Sequence, residues 1–453
     1  MTSTSRRLVL ACRILGVGLI ALHLAAPYLT EATAWGVWPA TYLSPVWRWG
    51  LGLAVAALIW VGPRLPAPAW KPAGPWLRAV LALSAGVLFF VFRIRHLRWG
   101  DAYILVNAIP HPEARLTYVW QAPLDVFVHA KLWAAAQSWP GWPDPTPVYW
   151  ITSTLAGVLF IWTLLGFAAW LGRDFTERAL VVGLVATLGT MQLFFGYVEN
   201  YSIMTLGVLI YVWLALRALR GEAGLVWPST VLALTHAFHP STLVLAPSLL
   251  LLIWERRRLG LDRSWLSALA AVAAPYLVVG IGVMALMTTG GHGLDALLGA
   301  DFPGGGDRRW FVPLLKTETR WEHYTMFSLG HLLDIVNQQL LTAPVVWPAL
   351  LLCLIIAGAR APWRTDPAFR LLALMAVSYL LLTLVWNPDY GGQRDWDLFA
   401  PAAVPAAIWL AYGLPRFLPE PDALWASAWA LIPAQGYHTI AWTYQNTLPW
   451  EWG

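Results

Sequence analysis

Apolar runs long enough to cross a lipid bilayer recur along this chain, from residues 8–27 to residues 422–443. A membrane-spanning helix needs about 17 to 25 mostly apolar residues. Hydrophobic residues make up 58% of the chain and charged residues only 12%, which is far from a soluble average. The sequence therefore predicts an all-α, polytopic transmembrane helical bundle in the cell membrane.

The remaining composition argues against other classes. Cys12 and Cys353 lie in separate apolar runs, so nothing indicates a disulfide framework or a thiolate metal site. The positive charge is almost all arginine and suits contact with anionic lipid. No basic, aromatic-interleaved soluble segment suggests nucleic-acid binding. Membrane lipids are therefore expected partners, and nucleic acids are not.

Basic residues in the short loops orient the chain, because cytoplasmic loops carry an excess of arginine and lysine. Counting runs between these loops predicts about 11 full spans, with the N-terminus cytoplasmic and the C-terminus extracytoplasmic. We expect the first run, after Arg6 and Arg7, to be an uncleaved helix rather than a signal peptide. The loop residues assigned to the cytoplasm are Arg64, Lys71, Arg173, Arg178, Arg217, Arg220, Arg256, Arg257, Arg258, Arg263, Arg360, Arg364 and Arg416.

One segment does not fit a simple alternation of spans. Residues 227–254 must begin and end in the cytoplasm, yet they are too few for two ordinary spans. Pro240 follows His236 and His239 at their centre, and such a proline breaks a helix. We predict a paired re-entrant element of two half-helices whose polar apex lines a cavity, since irregular backbone at membrane depth survives only there.

The chain is predicted to be a single membrane-embedded domain, residues 1–453, with cap helices in extracytoplasmic loops 94–146, 288–342 and 387–397. The polar side chains of these loops, with a short turn at Glu199, all fall on one side of the membrane. Ionisable groups gathered at one face are costly to keep there and indicate a functional site.

The first polar cluster is the segment that opens loop 94–146. Arg95 and Arg98 lie on the outer side against the usual bias, and a guanidinium at headgroup level is shaped to bind phosphate. Asp101 follows directly. Further on, Gln121 and Pro123 belong to the start of an apparent interfacial helix, with proline near its first turn. The alternative is that the arginines pair with lipid headgroups and Asp101 caps a helix.

This arrangement resembles the GT-C superfamily of membrane glycosyltransferases, which take a sugar from a polyprenyl-phosphate carrier on the extracytoplasmic side. The points of similarity are Asp101 soon after an early span, the aromatic-Gln-x-Pro-Leu-like start of a cap helix at residues 118–124, and many spans joined by short polar loops. The resemblance implies that Asp101 is the catalytic base or a metal-linked site residue.

The second cluster is the turn that contains Glu199, Asn200 and Tyr201. A carboxylate, an amide and a phenol offer hydrogen bonds and an aromatic face to a sugar; alternatively Glu199 is solvated and the tyrosine belongs to the interfacial belt.

His236 and His239 could share a helix face as a metal pair, but no local third ligand completes a site. Hydrogen bonding to substrate is the preferred role.

The third cluster, residues 387–397, precedes an apolar run. Arg394 could hold a phosphate, and Asp395 and Asp397 could bind sugar hydroxyls or a divalent cation. The alternative is a helix cap with a surface ion pair, which is worth little energetically.

Together with these clusters, the GT-C resemblance implies an enzyme, a glycosyltransferase that moves a sugar from a polyprenyl-phosphate-linked donor to an extracytoplasmic protein, lipid or glycan acceptor. Asp101 is the expected general base, and Arg394, with one or both of Arg95 and Arg98, would stabilise the departing phosphate. No cofactor is indicated beyond a possible divalent cation. The alternatives are a multi-pass transporter or flippase of an envelope-glycan precursor, and a non-catalytic envelope-assembly subunit.

Overall fold

The computed structural model describes residues 1–69, 71–111, 117–262, 264–299, 309–358 and 361–450. Over these ranges the chain is helical, and the one pairing of extended backbone is an isolated antiparallel bridge between Phe311 and Trp386. The predicted all-α class is therefore confirmed. Arg263 and Arg360, which the sequence assigns to cytoplasmic loops, lie outside the described residues.

The described helices are numbered in chain order. They are α1 Ser3–Ala25, α2 Glu31–Ala34, α3 Pro45–Val61, α4 Pro75–Val91, α5 Ala102–Ala108, α6 Pro123–Ala136, α7 Thr146–Leu171, α8 Phe175–Ala186, α9 Ser202–Leu219, α10 Val226–Phe238, α11 Ala246–Arg258, α12 Trp265–Thr289, α13 Leu294–Leu298, α14 Leu329–Thr342, α15 Val346–Ala357, α16 Pro367–Val385, α17 Trp396–Phe399, α18 Ala403–Phe417 and α19 Pro421–Thr447. Short 3₁₀ turns, among them Gly189–Phe194 and Pro240–Leu245, extend or join several of them.

Proline and capping side chains set several helix starts. Pro45, Pro75 and Pro367 each stand at the first position of a helix, where the missing N–H is not needed. Asp366 accepts hydrogen bonds from the N–H groups of the next helix, α16, which satisfies donors that the helix itself leaves open.

Seven helical segments in the described chain are long and apolar enough to cross a membrane, so a multi-pass membrane protein is supported. They are Ser3–Tyr28, Pro45–Arg64, Thr146–Leu171, Ser202–Leu219, Trp265–Thr289, Pro367–Val385 and Trp396–Phe417. The predicted count of about 11 full spans is not confirmed. Apolar runs that predicted further spans form shorter helices, such as α4 with 17 residues and α8 with 12, and α19 is long but contains buried Gln435 and His438.

The predicted interruption at His239 and Pro240 is present. α10 and α11 each have 13 residues, and between them His239 adopts an extended backbone (φ −154°, ψ 127°) before the 3₁₀ turn Pro240–Leu245. The proline lacks an N–H and disfavours a helical residue before it, which explains why the helix stops here.

A second break was not predicted. α14 and α15 are separated by three residues and meet at 101°. α14 falls within residues 288–342, which the sequence predicts to be an extracytoplasmic loop. It contacts the segment between α2 and α3, where Asn337 accepts a hydrogen bond from Gly36 N (2.9 Å), and it contacts α2, where Asn337 donates one to Thr33 O (3.0 Å).

α1 and α19 run side by side in the same direction through the core. Thr2 N donates to Glu420 Oε1 (2.9 Å) near their starts, and Nε2 of His23 lies 2.8 Å from Nδ1 of His438 further along. Near its C-terminal end α19 reaches Asn446, whose Oδ1 accepts a hydrogen bond from Trp99 Nε1 (2.7 Å). The N-terminal ends of this helix pair and the candidate site near Trp99 are therefore at opposite ends of the bundle.

Candidate functional site

Four carboxylates from three separate segments meet at one end of the bundle, and we call them the carboxylate cluster. Asp101 precedes α5, Glu199 lies in the turn before α9, and Asp395 and Asp397 lie at the start of α17. Asp101 is half-buried, whereas the other three are at most 9% exposed. The structure thus brings together acids predicted from three distant loops.

The loops that carry Asp101 and Arg394 are locked to each other through Gly100. Gly100 N donates to the carbonyl oxygen of Arg394 (2.9 Å), and the Arg394 guanidinium donates through Nε and Nη2 to Gly100 O (both 3.3 Å). The guanidinium also lies 4.0 Å above the Tyr390 ring. These contacts hold the half-buried Arg394 beside Asp101.

Gly100 has a left-handed backbone (φ +53°), which glycine adopts without steric cost. A Cβ atom at this position would lie 2.6 Å from Glu199 Oε1 and 2.7 Å from Asp397 Oδ2. Both carboxylates therefore face the small space that the glycine leaves open. Glu199 also accepts hydrogen bonds from the N–H groups of Asp101 and Asn200.

The electrostatics of the cluster favour protonation. Burial raises the pKa of Glu199 well above its ordinary value, and the charges of Asp397 and Asp101 raise it further. Burial also raises the pKa of Asp101, against the opposing effects of a hydrogen bond from Tyr390 and the charge of Arg394. A carboxylate whose pKa is moved toward neutrality is better suited to general acid or base chemistry.

Tyr390 and Tyr201 lie around the carboxylate cluster that includes Asp395. Burial and the charge of Asp397 raise the pKa of Asp395, whose Oδ2 accepts a hydrogen bond from Tyr390 N (2.8 Å). Burial raises the pKa of Tyr201, and the charges of all four carboxylates of the cluster add to it. The Tyr201 phenol is thus close enough for all four carboxylates of the cluster to affect its pKa.

The predicted phosphate-binding arginines occupy different places. Arg98 forms an ion pair with Glu31 (3.2 Å), and Glu31 also accepts a hydrogen bond from Gln393 (2.7 Å), so Arg98 lies at the edge of the loop that carries Arg394. Arg95 is exposed, and its backbone N–H donates to Asn446 O (3.1 Å). Gln121 is also exposed, and none of the contacts described for it connects it to the carboxylate cluster.

The two histidines have different surroundings. His236 is held on both ring nitrogens, by Thr242 Oγ1 (2.6 Å) and by the Tyr276 hydroxyl (2.8 Å), so it links α10 to α12. The ring of His239 lies 4.8 Å from the ring of Tyr201, which places this histidine beside the site. Asn200 is buried, with an Oδ1 that has no partner in the described chain.

Asp334 was not among the predicted site residues. It accepts hydrogen bonds from Tyr324 OH (2.8 Å), Gly392 N (2.9 Å) and Trp35 Nε1 (3.0 Å), so it fixes the loop before Arg394. Two of its partners lie far away in the sequence, so they could not be identified without the three-dimensional contacts.

A buried ion pair in the cap helix was also missed. Asp125 and His129 of α6 are 1% and 3% exposed, with Asp125 Oδ2 3.0 Å from His129 Nδ1. Burial lowers the pKa of His129, but the charge and hydrogen bond of Asp125 outweigh it and raise the pKa. His129 also meets Thr152 Oγ1 (2.8 Å) of α7, so the pair fixes α6 to the bundle.

In the part of the chain that the structure describes, no group of three or more His, Cys, Asp or Glu side chains has an arrangement that could hold a metal ion. The possible divalent cation stays a prediction. No protein-family model, curated protein or solved structure matches the chain. Functional inference therefore depends on the site itself.

Proposed function

We propose that the protein is a membrane glycosyltransferase that transfers a sugar from a polyprenyl-phosphate carrier to an extracytoplasmic acceptor. The observation that carries this proposal is the meeting of Asp101 and Arg394, both half-buried, beside three buried carboxylates. Sugar transfer from a lipid phosphate needs one group that removes a proton and one that stabilises a departing phosphate.

In the proposed reaction Asp101 takes the proton of the acceptor hydroxyl. The acceptor oxygen then forms a bond to the anomeric carbon, and the bond from that carbon to the phosphate oxygen breaks. The electron pair leaves with the polyprenyl phosphate, whose added charge Arg394 stabilises. The sugar ends on the acceptor and the proton on Asp101.

The buried carboxylates have positioning roles in this proposal. Glu199 holds the backbone N–H of Asp101, and Asp397 accepts a hydrogen bond from Tyr197 OH (2.8 Å). Asp395 holds the backbone of Tyr390, the residue that hydrogen-bonds to Asp101. Asn200, Tyr201 and His239 border the same space and would contact the sugar.

The test is release of polyprenyl phosphate by the purified protein, reconstituted with a panel of polyprenyl-phosphate sugars and a membrane extract as the acceptor source. We expect Asp101→Asn to lower release by about 10²- to 10⁴-fold and Arg394→Ala by about 10²- to 10³-fold. Glu222→Gln alters an exposed carboxylate paired with Arg217 (3.4 Å) far from the cluster, and it should keep wild-type release.

Release that survives both substitutions would remove Asp101 and Arg394 from the mechanism. If no donor is turned over, carrier-linked sugars loaded into proteoliposomes would test the flippase alternative, in which the lipid changes leaflet but keeps its sugar. Thermal unfolding of each variant separates a lost function from a lost fold.

A further inference from the structure

A cavity of about 640 Å³ lies at the end of the bundle opposite the carboxylate cluster. It is lined by Met1 and Arg6 near the start of α1 and by Pro421 and Asp422 at the start of α19. Asn446, which contacts Trp99 at the other end, is roughly 35 Å away along α19 at 1.5 Å per residue. The cavity is therefore not part of the candidate site.

Three arginines give this cavity an excess of positive charge, and we call it the arginine cavity. Arg6 and Arg13 lie on one face of α1, two turns apart, and Arg64 faces them from the end of the α3 segment. Asp422 is the carboxylate in the lining. Within the described ranges no ion pair neutralises the three arginines, and Nε of Arg13 is buried without a hydrogen-bond partner.

The helix starts at the cavity add little to this positive potential. Helices α1, α8 and α19 all begin at the cavity, which Met1, Thr176 and Pro421 line. The first N–H groups of a helix have no partner within the helix, and the helix dipole makes this end favourable for anions. However, Thr2 and Asp174 already cap the first turns of α1 and α8, and Asp422 lies in the first turn of α19. The positive charge of the cavity therefore comes mainly from the three arginines.

Part of the cavity wall is apolar and exposed. Leu10 of α1 lines the cavity and is 52% exposed, and Leu65 is 53% exposed. Trp425 forms another part of the lining. A ligand for this site has an anionic head, which guanidinium groups bind through paired hydrogen bonds, and an apolar part that continues into the bilayer.

We propose that the arginine cavity binds the phosphate group of an anionic phospholipid, taken from the leaflet on the side opposite the carboxylate cluster. Its volume suits a headgroup with the first carbons of its chains, while the acyl tails leave past Leu10. The same guanidinium groups would also attract free inorganic phosphate, so the source of the phosphate is part of the test.

The experiment uses full-length protein purified in mild detergent. Native mass spectrometry counts the phosphatidylglycerol and phosphatidylcholine molecules that remain bound, and thermal unfolding is followed with each lipid and with inorganic phosphate. We expect retained phosphatidylglycerol and an increase in Tm with this lipid alone. Loss of one charge-assisted hydrogen-bonding group in Arg13→Gln or Arg64→Gln should weaken the binding about tenfold or more.

Arg7→Gln is the matched control, because Arg7 is an exposed neighbour of Arg6 that does not line the cavity. It should bind phosphatidylglycerol as the wild type does. Equal loss in Arg7→Gln would mean diffuse attraction to charge and would overturn the site. A stabilisation by inorganic phosphate that matches the lipid and disappears in Arg64→Gln would overturn the lipid as the source. Arg64 is exposed on a 3₁₀ turn, so its variant should fold even if Arg13→Gln does not.

Discussion

Gly100 is the residue on which the geometry of the carboxylate cluster most depends. We predict that Gly100→Ala both destabilises the protein and abolishes sugar transfer, because the added methyl meets a left-handed backbone and two carboxylate oxygens at 2.6 and 2.7 Å. Strain from such a backbone conformation alone costs about 1–3 kcal/mol. Thermal unfolding and polyprenyl-phosphate release measure the two effects.

Gly141→Ala supplies the control for Gly100→Ala. Gly141 has a comparable backbone (φ +80°), but a Cβ there would meet nothing within 4 Å. Gly141→Ala should lose stability through backbone strain but keep wild-type sugar transfer. Equal losses in the two variants would mean that the carboxylates do not restrict the space at Gly100.

The buried Glu199 makes the stability of the protein depend on pH. Above its ordinary pKa of 4.5 the side chain ionises in the unfolded chain, whereas in the folded protein burial, and then the charges of Asp397 and Asp101, raise its pKa. The folded state therefore binds more protons, and its stability decreases as pH rises from 4.5 toward the raised pKa.

We predict that Glu199→Gln flattens this decrease, by up to about 1.4 kcal/mol for each pH unit. The measurement is the free energy of unfolding in detergent between pH 4.5 and neutrality, followed in parallel for Glu222→Gln, whose side chain is exposed. Identical slopes for wild type and Glu199→Gln would mean that Glu199 ionises in the folded protein as it does in the unfolded chain.

At the scale of elements, α12 is attached to the bundle mainly through α10, and most of its residues are exposed. The Tyr276 hydroxyl of α12 bonds to His236 (2.8 Å). We predict that Tyr276→Phe lowers the unfolding free energy by about 1 kcal/mol, since it leaves a ring nitrogen of His236 without a partner. Thermal unfolding in detergent detects this loss.

Tyr379→Phe is the matched substitution. Its hydroxyl is buried and has no hydrogen-bond partner among the described residues, so its removal should be neutral or slightly stabilising. If Tyr276→Phe is equally harmless, the bond to His236 does not secure α12, and His236 becomes available for a role in substrate binding.

The elements also indicate what a sequence of this kind can predict. Local rules were sufficient for the helical class and for the break at His239 and Pro240, because proline acts on its immediate neighbours. They were not sufficient for the bend between α14 and α15 or for the partners of Asp334, two of which, Trp35 and Gly392, lie in distant segments. The sequence predicted that the acids lie on one side of the membrane. The hydrogen bonds of Gly100 that join their loops are tertiary contacts that the sequence did not reveal.

At the scale of the whole molecule, the number of spans depends on helices that are short or polar. α4 has 17 residues and is roughly 25 Å long, less than the hydrocarbon thickness of about 30 Å. Arg78 lies within α4 and Arg93 lies just beyond its C-terminal end. The guanidinium group of Arg78 lies over the Trp162 ring (5.7 Å) and that of Arg93 over the Trp150 ring (4.5 Å). Such side chains extend to the interface and let a short helix span.

We predict that α4 crosses the membrane and that its N-terminal end is cytoplasmic, because the basic residues Arg64 and Lys71 precede it. The two natural cysteines are buried, and alanine at both gives a background for Ala69→Cys and Ser138→Cys, which are exposed positions on either side of α4. A membrane-impermeant maleimide should label Ser138→Cys in intact cells and Ala69→Cys only after permeabilisation. The reverse pattern would mean that the orientation is inverted and that the carboxylate cluster faces the cytoplasm, where no extracytoplasmic acceptor could reach Asp101. Labelling of both cysteine variants in intact cells would mean that α4 does not span the membrane.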